Sequence, residues 1–249
     1  MISEYCNSLT PIKELCAKYQ MSDRCIYEAI KNGEIDKRGR SPSWTDVLDT
    51  EKELFFYLLG LIASDGCLHK NYKTIEISLH DRDIDILNRL SAGLFNQNRV
   101  IHEKHRNRAR LLISSGKSTA MFCSYGITPA KSETLKINFD MIPVEYFYHF
   151  LRGYIDGDGS YTYKNENNIH VSICGNEYMM KKFQKYVLKY YVLESNVYKM
   201  NEDISFPYYR WTIQKTPLVK ELIKILYKDA NYYIERKYNI IKSVLNSAV

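Results

Sequence analysis

The sequence has few of the features that mark secreted, zinc-stabilised or membrane proteins. Its six cysteines include no Cys-x-x-Cys pair, so neither a zinc framework nor a disulfide framework is indicated. The first residues, MISEYCNSL, lack a basic stretch followed by an apolar run, so we expect no signal peptide. The most apolar stretch, residues 54–63, is far shorter than the ~18 residues that cross a bilayer. We therefore expect a cytoplasmic chain with reduced thiols and no membrane partner.

Positive charge is not in large excess, since the net charge is +6. A net charge of this size does not by itself demonstrate a nucleic-acid partner. The basic residues are unevenly placed, however. Between residues 99 and 117 there are six lysines and arginines and a single acid, Glu103. Such a run on two strands is typical of a surface that contacts phosphates, although a solvated charged hairpin has the same composition.

An internal repeat is the most informative feature of the sequence. The pattern Leu-x-Gly-x-Ile-x-small-Asp-Gly occurs at residues 58–66 and again at residues 151–159. The second aspartate follows the first by 158 − 65 = 93 residues, and 249 − 159 = 90 residues follow the second copy. This spacing predicts two equivalent half-domains of similar size.

The apolar patterns after the two copies agree with this division. Each copy is followed by an alternating strand, a helix, two extended runs and another helix, which predicts α-β-β-α-β-β-α units and an α+β fold. The strands are predicted at residues 73–80, 99–105, 109–114, 169–174, 195–200 and 207–213, and the helices at 83–95, 117–125, 176–191, 216–228 and 231–246. We expect three regions, at residues 1–45, 46–140 and 141–249.

Two short helices are predicted before the repeats. Pro11 suits the first turn of one helix, and Ser22 suits the N-cap of the next, with a three-residue turn between them. This arrangement is typical of a helix-turn-helix, although a helical hairpin used only for packing has the same pattern. In the first interpretation, the exposed side of the second helix enters a DNA groove and the basic linker follows phosphates. The residues concerned are Arg24, Tyr27, Lys31, Lys37, Arg38 and Arg40.

The two motifs also suggest a chemistry. Gly60 and Gly153 are each followed four residues later by another small residue, a spacing that lets two helix backbones approach closely. If the copies pack against each other, Asp65 and Asp158 meet at the C-terminal helix ends. Two carboxylates beside the negative ends of two helix dipoles favour a hard divalent cation. A cation held there can activate water for displacement at phosphorus.

This double motif closely resembles the LAGLIDADG homing endonuclease family in its monomeric, two-motif form. The resemblance covers roughly residues 52–246. It implies two pseudo-twofold related αββαββα repeats that form a saddle of two antiparallel sheets, after a small all-α helix-turn-helix unit. It also implies Mg²⁺-dependent hydrolysis of both strands of a long asymmetric target in double-stranded DNA, leaving 3′ overhangs. Mn²⁺ or Ca²⁺ would substitute for binding.

The resemblance also implies roles for residues at matching positions. Asp65 and Asp158, at the eighth motif position, correspond to the metal-binding acids. Gly66 and Gly159 correspond to positions whose backbone carbonyls approach the metals. The segment at residues 126–132 is similar to one that often follows the first repeat in such proteins.

The sequence departs from the family pattern at the sixth motif position, which is Asp156 in the second copy but Ala63 in the first. Only the eighth position can therefore supply a symmetric pair, and we expect Asp156 to be structural. The family also uses lysines near the metals. Lys117 and Lys215 follow the fourth strands of their repeats and are our candidates to assist catalysis, or else to contact phosphates.

Several side chains on the predicted strands are candidates to contact DNA, and some should read base edges. They are Lys73, Glu76, Ser78, His80, Arg106, Arg108, Arg110, Tyr161, Tyr163, His170, Ser172, Lys199, Tyr208 and Arg210.

An alternative is a protein that binds but does not cut, either a transcription regulator or an intron RNA maturase on the same scaffold. The presence of both acids favours the nuclease, because two carboxylates that face phosphates give a pure binder no advantage.

Overall fold

The computed structural model describes residues 12–32, 44–131, 133–165, 167–200 and 208–246. The chain divides into two compact units, residues 1–47 and residues 48–249. Among the described residues, no helix combines the length and the apolar character needed to cross a membrane.

Within the described residues, two complete helices belong to the first unit, α1 (Ile12–Tyr19) and α2 (Asp23–Asn32). Leu15 and Ile26 form its small core, and both side chains are fully buried. The predicted N-cap of α2 is present, because the Ser22 hydroxyl accepts a hydrogen bond from the backbone N–H of Cys25 (3.2 Å). These contacts occur both in a helix-turn-helix and in a packing hairpin, so DNA binding by this unit stays a prediction.

The second unit is made of two copies of an αββαββα repeat, which confirms the predicted fold class. The first copy comprises α4 (Lys52–Ser64), β1 (Gly66–Leu68), β2 (Thr74–His80), α5 (Ile84–Phe95), β3 (Ile101–Glu103), β4 (Arg108–Ser114) and α6 (Gly116–Ser124), preceded by α3 (Trp44–Thr50). The second copy comprises α7 (Phe147–Asp158), β5 (Gly159–Asn165), β6 (Asn168–Gly175), α8 (Glu177–Tyr191), β7 (Asn196–Met200), β8 (Tyr208–Ile213) and α9 (Thr216–Tyr227), followed by α10 (Glu235–Asn246).

The two sheets have equivalent antiparallel topologies, with strand orders β1-β2-β4-β3 and β5-β6-β8-β7. Their central strands alternate between buried apolar residues and partly exposed residues. In the first sheet Ile77 pairs with Leu111, and in the second Val171 pairs with Ile213, all of them buried. Each sheet therefore packs one face against helices and leaves the other face, here called the open face, for polar side chains.

The first helices of the two copies, α4 and α7, pack against each other along their lengths. Helix α4 is apolar on every side, and residues 54–63 are buried, as expected of a helix at the centre of a core. A methyl group on Gly60 would overlap the carbonyl oxygen of Phe150, and one on Gly153 would overlap that of Tyr57. The two glycines therefore allow the close backbone approach that their spacing predicts.

A buried polar network fixes this helix pair. The Tyr57 hydroxyl donates to the Asp156 carboxylate across the helix seam (2.8 Å), and the backbone N–H of Ile234 donates to the same group (2.9 Å). Arg152 is fully buried and pairs with Glu53 of the other helix (2.6 Å). Asp156 thus makes structural contacts, and its burial raises its pKa to about 6 against the opposing effect of the Tyr57 hydrogen bond.

Candidate metal centre and nucleic-acid interface

Asp65 and Asp158 lie side by side where α4 and α7 end. The backbone N–H of Asp65 closes the last turn of α4 on the Leu61 carbonyl (2.9 Å), while Asp158 is the last residue of α7. A Cβ atom on Gly157 would lie 3.1 Å from the Asp65 Oδ2 atom, which shows how closely this carboxylate approaches the other helix. The packing of the helix seam therefore brings the two motif acids into one site.

The Asp65 and Asp158 carboxylates repel each other when both are ionised. Partial burial is the main cause that raises the pKa of Asp158 to about 6, and the charge of Asp65 is the second cause. Burial also raises the pKa of Asp65. Both side chains keep a solvent-accessible surface, so a small ion can reach them. A pair of acids with this electrostatic cost favours a cation between them.

Two buried lysines lie beside the acid pair. The Lys131 Nζ atom donates to the Ser64 carbonyl at the end of α4 (2.8 Å), and Lys131 is only 7% exposed. Its charge and that of Lys237 lower the pKa of both acids, which partly offsets the effect of burial. Burial in turn lowers the pKa of both lysines.

Lys237 holds the end of α7 in a similar way. Its Nζ atom donates to the carbonyls of residues 155, 156, 157 and 159 at 2.8, 2.6, 2.9 and 2.6 Å. An ammonium in this position neutralises the negative end of the helix and fixes the turn that presents Asp158. No motif in the sequence points to Lys237. Lys131 has a weak signal, because it belongs to the segment at residues 126–132 that resembles one often found after the first repeat in the LAGLIDADG family.

The residues present fit a hard divalent metal ion. The described parts of the chain contain no group of three or more His, Cys, Asp or Glu side chains that could hold a metal. Mg²⁺ does not need such a cage, since it keeps several waters and is commonly bound by one or two carboxylates with substrate phosphates. Asp65 and Asp158 supply those two carboxylates.

The expected carbonyl contacts of Gly66 and Gly159 stay a prediction. The Gly159 carbonyl accepts a hydrogen bond from Lys237 (2.6 Å), so an ammonium already occupies one of its lone pairs. Gly66 begins strand β1 and pairs with Ile77 in the sheet. The carboxylates are therefore the principal metal donors that this site offers.

Lys117 and Lys215 do not lie next to the acid pair. Thr119 and Thr216, which follow them closely in the chain, bond through their hydroxyls to carbonyls in the β1–β2 and β5–β6 turns (2.6 and 2.9 Å). Strands β1 and β5 begin at the acids and run away from them to these turns. Lys215 is exposed and pairs with Glu194 (3.0 Å). The buried lysines beside the acids are instead Lys131 and Lys237. The catalytic role of Lys117 and Lys215 stays a prediction, and their position suits the alternative role, a phosphate contact.

The first sheet presents its predicted polar residues on the open face. Ser78 pairs with Arg110, and His80 pairs with Arg108, so all four side chains project from the same side. Glu76 lies two residues before Ser78 and shares that side. His80 is exposed at the end of β2, where its Nδ1 atom accepts from the backbone N–H of Arg82 (3.3 Å). Lys73 is exposed just before β2.

The basic character of this face is weaker than the sequence predicts. Arg108 and Arg110 both bond to Glu103 (2.6 Å each), and Arg110 also pairs with Glu76 (3.4 Å). Arg108 therefore holds the pKa of Glu103 below its usual range. Arg106 lies in the turn between β3 and β4, where it is largely exposed. Glu103 thus neutralises part of the charge that the run from residue 99 to residue 117 carries.

The second sheet corrects the prediction for strand β5. Tyr161 pairs with Val171 and is only 6% exposed, and Tyr163 pairs with Ile169, so both rings lie on the helix-covered face. The open face of β5 instead carries Ser160 and Thr162, which are exposed. Strand β5 begins directly after helix α7, and the alternation could not be assigned to a face from sequence alone.

Strand β7 needs the same correction. Lys199 pairs with Tyr209, which lies two residues from the buried Trp211 and therefore on the helix-covered face. The open face carries Tyr198, which pairs with Arg210. The other predicted residues of this sheet, His170, Ser172, Tyr208 and Arg210, project from the open face.

In the first unit, Arg24 is exposed and pairs with Glu28 on the same helix (3.1 Å). Tyr27 and Lys31 belong to helix α2, but their side chains fall outside what the structure describes. Lys37, Arg38 and Arg40 lie outside the described residues.

Comparison with known proteins gives the fold. No protein-family model matches the sequence, and no curated protein matches it. Among solved structures, a variant of I-SmaMI matches with a TM-score of 0.54 and 12% identity, over 77% of this chain and 91% of that chain. The I-LtrWI LAGLIDADG homing endonuclease bound to target DNA matches with a TM-score of 0.52 and 11% identity, over 79% and 91%.

A third match is an I-DmoI variant in complex with its nicked target DNA in the presence of Mn, with a TM-score of 0.52 and 16% identity, over 72% of this chain and 98% of that chain. Identities this low establish shared architecture and not shared activity. The chain therefore has the two-repeat fold of the LAGLIDADG homing endonucleases.

Proposed function

We propose that this protein is a site-specific endonuclease that makes a double-strand break with 3′ overhangs in a long asymmetric DNA target, with Mg²⁺ as its cofactor. The observation that carries the proposal is the meeting of Asp65 and Asp158 at the ends of the paired helices α4 and α7. One acid from each repeat suits a reaction on two strands. The chain would act inside the cell as a monomer, because it contains both halves of the site.

The two open faces support DNA as the substrate. Each sheet begins at one of the acids and extends away from it, so DNA that lies along both sheets would cross the acid pair. The faces differ in composition, with arginines and glutamates on the first sheet and serine, threonine and tyrosine on the second. Unlike halves of one protein would recognise unlike half-sites, as an asymmetric target requires.

The acids and the lysines of the site have different roles in the proposed reaction. Asp65 and Asp158 would hold their carboxylates toward the DNA, while Lys131 and Lys237 fix the helix ends that carry these acids. A bound Mg²⁺ would supply a water of lowered pKa and would stabilise charge on the phosphoryl oxygens. The small cavity of about 200 Å³ beside Asp158, lined in part by Lys131 and Asn176, has room for several waters.

The test is a cleavage selection on a randomised plasmid library with Mg²⁺. We expect wild-type protein to linearise a defined subset of plasmids. Asp65→Asn and Asp158→Asn should each remove double-strand cleavage and keep DNA binding, because the amide has nearly the same shape without the charge. Asp85→Asn is the matched control, since Asp85 is an exposed acid of helix α5 and does not belong to the acid pair.

Two results would overturn the nuclease proposal. One is a wild-type protein that binds a defined sequence and cuts nothing at any Mg²⁺ or Mn²⁺ concentration, which would favour a regulator. The other is unchanged cleavage in both Asn variants, which would place the chemistry elsewhere.

A further inference from the structure

Helix α8 carries a basic surface that the proposed nuclease reaction does not use. It packs its apolar side on the helix-covered face of the second sheet, where Phe183 contacts Trp211 (ring centroids 6.3 Å apart). Its outer side therefore lies across the sheet from the open face. Four lysines project there, namely Lys181, Lys182, Lys185 and Lys189.

Three of these lysines surround one tyrosine. The Nζ atoms of Lys182, Lys185 and Lys189 lie 5.7, 5.8 and 5.7 Å from the centroid of the Tyr186 ring. The same lysines extend to further rings, since Lys182 lies 5.3 Å from Tyr178 and Lys189 lies 5.2 Å from the Tyr190 ring. Ammonium groups and aromatic rings thus alternate along one side of the helix, here called the α8 lysine stripe (Lys182, Lys185 and Lys189).

The negative charge near the stripe is smaller than the positive charge. The carboxylate that faces all three lysines is Asp140, which also accepts the hydrogen bond of the Tyr186 hydroxyl. That hydrogen bond is the main cause that lowers the pKa of Asp140, and the three lysines contribute. Glu177 does not compensate for the stripe, because it pairs with Lys181 (2.5 Å). Among the described residues, three like charges that share the Asp140 carboxylate leave the surface electropositive.

The other half of the molecule shows that the fold does not need this charge. Helix α5 is the equivalent of α8 in the first repeat, and it contains no lysine. Its one arginine, Arg89, is used internally, where it donates to the carbonyls of Asn231 (3.2 Å) and Tyr233 (2.5 Å). Packing a helix on the sheet therefore does not require the lysines of α8.

We propose that the α8 lysine stripe is a second phosphodiester-binding surface, separate from the open faces, that takes one strand of a nucleic acid. The three ammonium groups follow spacings of three and four residues on one helix face, about 10 Å from first to last, which spans two or three successive phosphates of a single strand. The half-buried rings of Tyr178 and Tyr190 lie beside the ammonium groups of the stripe. Because the stripe lies behind the second sheet, straight DNA on the open face does not reach it.

The experiment uses full-length protein and three fluorescent probes of about 20 nucleotides, namely poly(U) RNA, poly(dT) and a duplex of mixed sequence. The test variant is Lys182→Gln/Lys185→Gln/Lys189→Gln. The matched control, Lys220→Gln/Lys224→Gln/Lys228→Gln, removes the same charge from helix α9 and the residue after it. We expect the first variant, and not the control, to lose a second equivalent of bound single-stranded probe. The slope of the logarithm of the binding constant against the logarithm of the salt concentration should be lower by about 2, because each lost phosphate contact contributes ~0.7.

Lysine acetylation with mass-spectrometric detection locates the probe directly. Single-stranded probe should protect Lys182, Lys185 and Lys189 in the wild-type protein while leaving Lys220 and Lys224 reactive. Equal protection by RNA and DNA would identify the phosphodiester backbone as the ligand, and stronger protection by RNA would identify RNA as the source. Equal loss of binding in the two triple variants, or absence of protection at the stripe, would overturn the proposal. These readouts do not depend on DNA cleavage.

Discussion

At the scale of single residues, burial and charge change the chemistry of a few titratable groups. His149 is 5% exposed and lies beside the Arg152 guanidinium, with 3.1 Å between its Nδ1 atom and the guanidinium nitrogen. Burial is the main cause that lowers the pKa of His149 to about 4, and the positive charge of Arg152 is the second cause. The imidazole is therefore neutral in the folded protein over the range in which the unfolded chain takes up a proton.

This difference predicts how stability depends on pH. Between pH 6.5 and pH 4 the unfolded chain binds a proton at His149 and the folded protein does not, so this residue makes stability fall as the pH falls. The contribution reaches up to about 3 kcal/mol at 1.36 kcal/mol per pKa unit. In urea unfolding at several pH values, His149→Gln should show a smaller decrease across this range than wild type. His105→Gln, at an exposed position, is the control, and equal pH dependence in all three proteins would contradict the prediction.

A second prediction concerns the acid pair. Since the pKa of Asp158 is about 6, its carboxyl carries a proton in more than half of the molecules below that pH, and a metal ion must displace it. Mg²⁺ affinity should therefore decrease as the pH falls through 6, with protons released on binding. Calorimetry in two buffers of different ionisation enthalpy measures that release. Asp158→Asn should reduce it, and a pH-independent affinity in the wild-type protein would be inconsistent with this assignment.

At the scale of elements, the seam between α4 and α7 decides whether a site forms at all. Because a methyl group on Gly153 would overlap the Tyr57 carbonyl oxygen, Gly153→Ala must separate the helices. We expect it to lower the free energy of unfolding by about 1–3 kcal/mol, as overpacking does, and to weaken Mg²⁺ binding by moving the acids apart.

Gly116 provides the control for this substitution. It lies in the first turn of α6, and an added Cβ atom there would meet nothing within 4 Å. Gly116→Ala should be neutral or should stabilise the protein slightly, by up to about 1 kcal/mol. Urea unfolding curves compare the two variants directly. If both alanine variants were equally stable, the close helix approach would not be a constraint on the fold.

Helix α10 stabilises the end of α7, although it lies far from both motifs in the sequence. The three N–H donors of the Lys237 ammonium are shared among four carbonyls at the end of α7. Lys237→Met would keep much of the side-chain length and remove this donor. The Ile155 carbonyl keeps the backbone N–H of Gly159, and each carbonyl left unsatisfied costs about 1–3 kcal/mol. Thermal unfolding should show a lower Tm, and Lys242→Met at an exposed position of the same helix should not change it. An unchanged Tm in both variants would show that water replaces the ammonium.

At the scale of the whole molecule, both repeats and both acids belong to one chain, so no second copy is needed to complete the site. We expect light scattering to give a mass near 29.3 kDa for the free protein, and one chain for each duplex in the complex with its cleaved target. If the protein were a dimer, and if separating its subunits always removed cleavage activity, the proposal that a monomer is the active form would be wrong. The two halves also differ where they contact solvent, since the first sheet has paired charges on its open face and the second has a lysine-rich helix behind it.

Much of this architecture follows from the sequence by itself. Alternating strands and apolar helix faces are local patterns with periods of two and about 3.6 residues, and they predict the αββαββα unit. The repeated motif predicts that this unit occurs twice and that Asp65 pairs with Asp158. Ala63 also predicts the role of Asp156. Because alanine stands at this position in the first motif, Asp156 has no symmetric counterpart, which indicates that Asp156 is structural.

Only the tertiary structure decided the surroundings of those acids. Lys131 and Lys237 reach them from segments far along the chain, whereas Lys117 and Lys215, in equivalent sequence positions, lie at distant turns. The face on which Tyr161 lies depended on strand register, because a shift of one residue exchanges the two sides of a sheet. Periodicity is a local property that the sequence determines, while the identity of a site's neighbours depends on long-range packing.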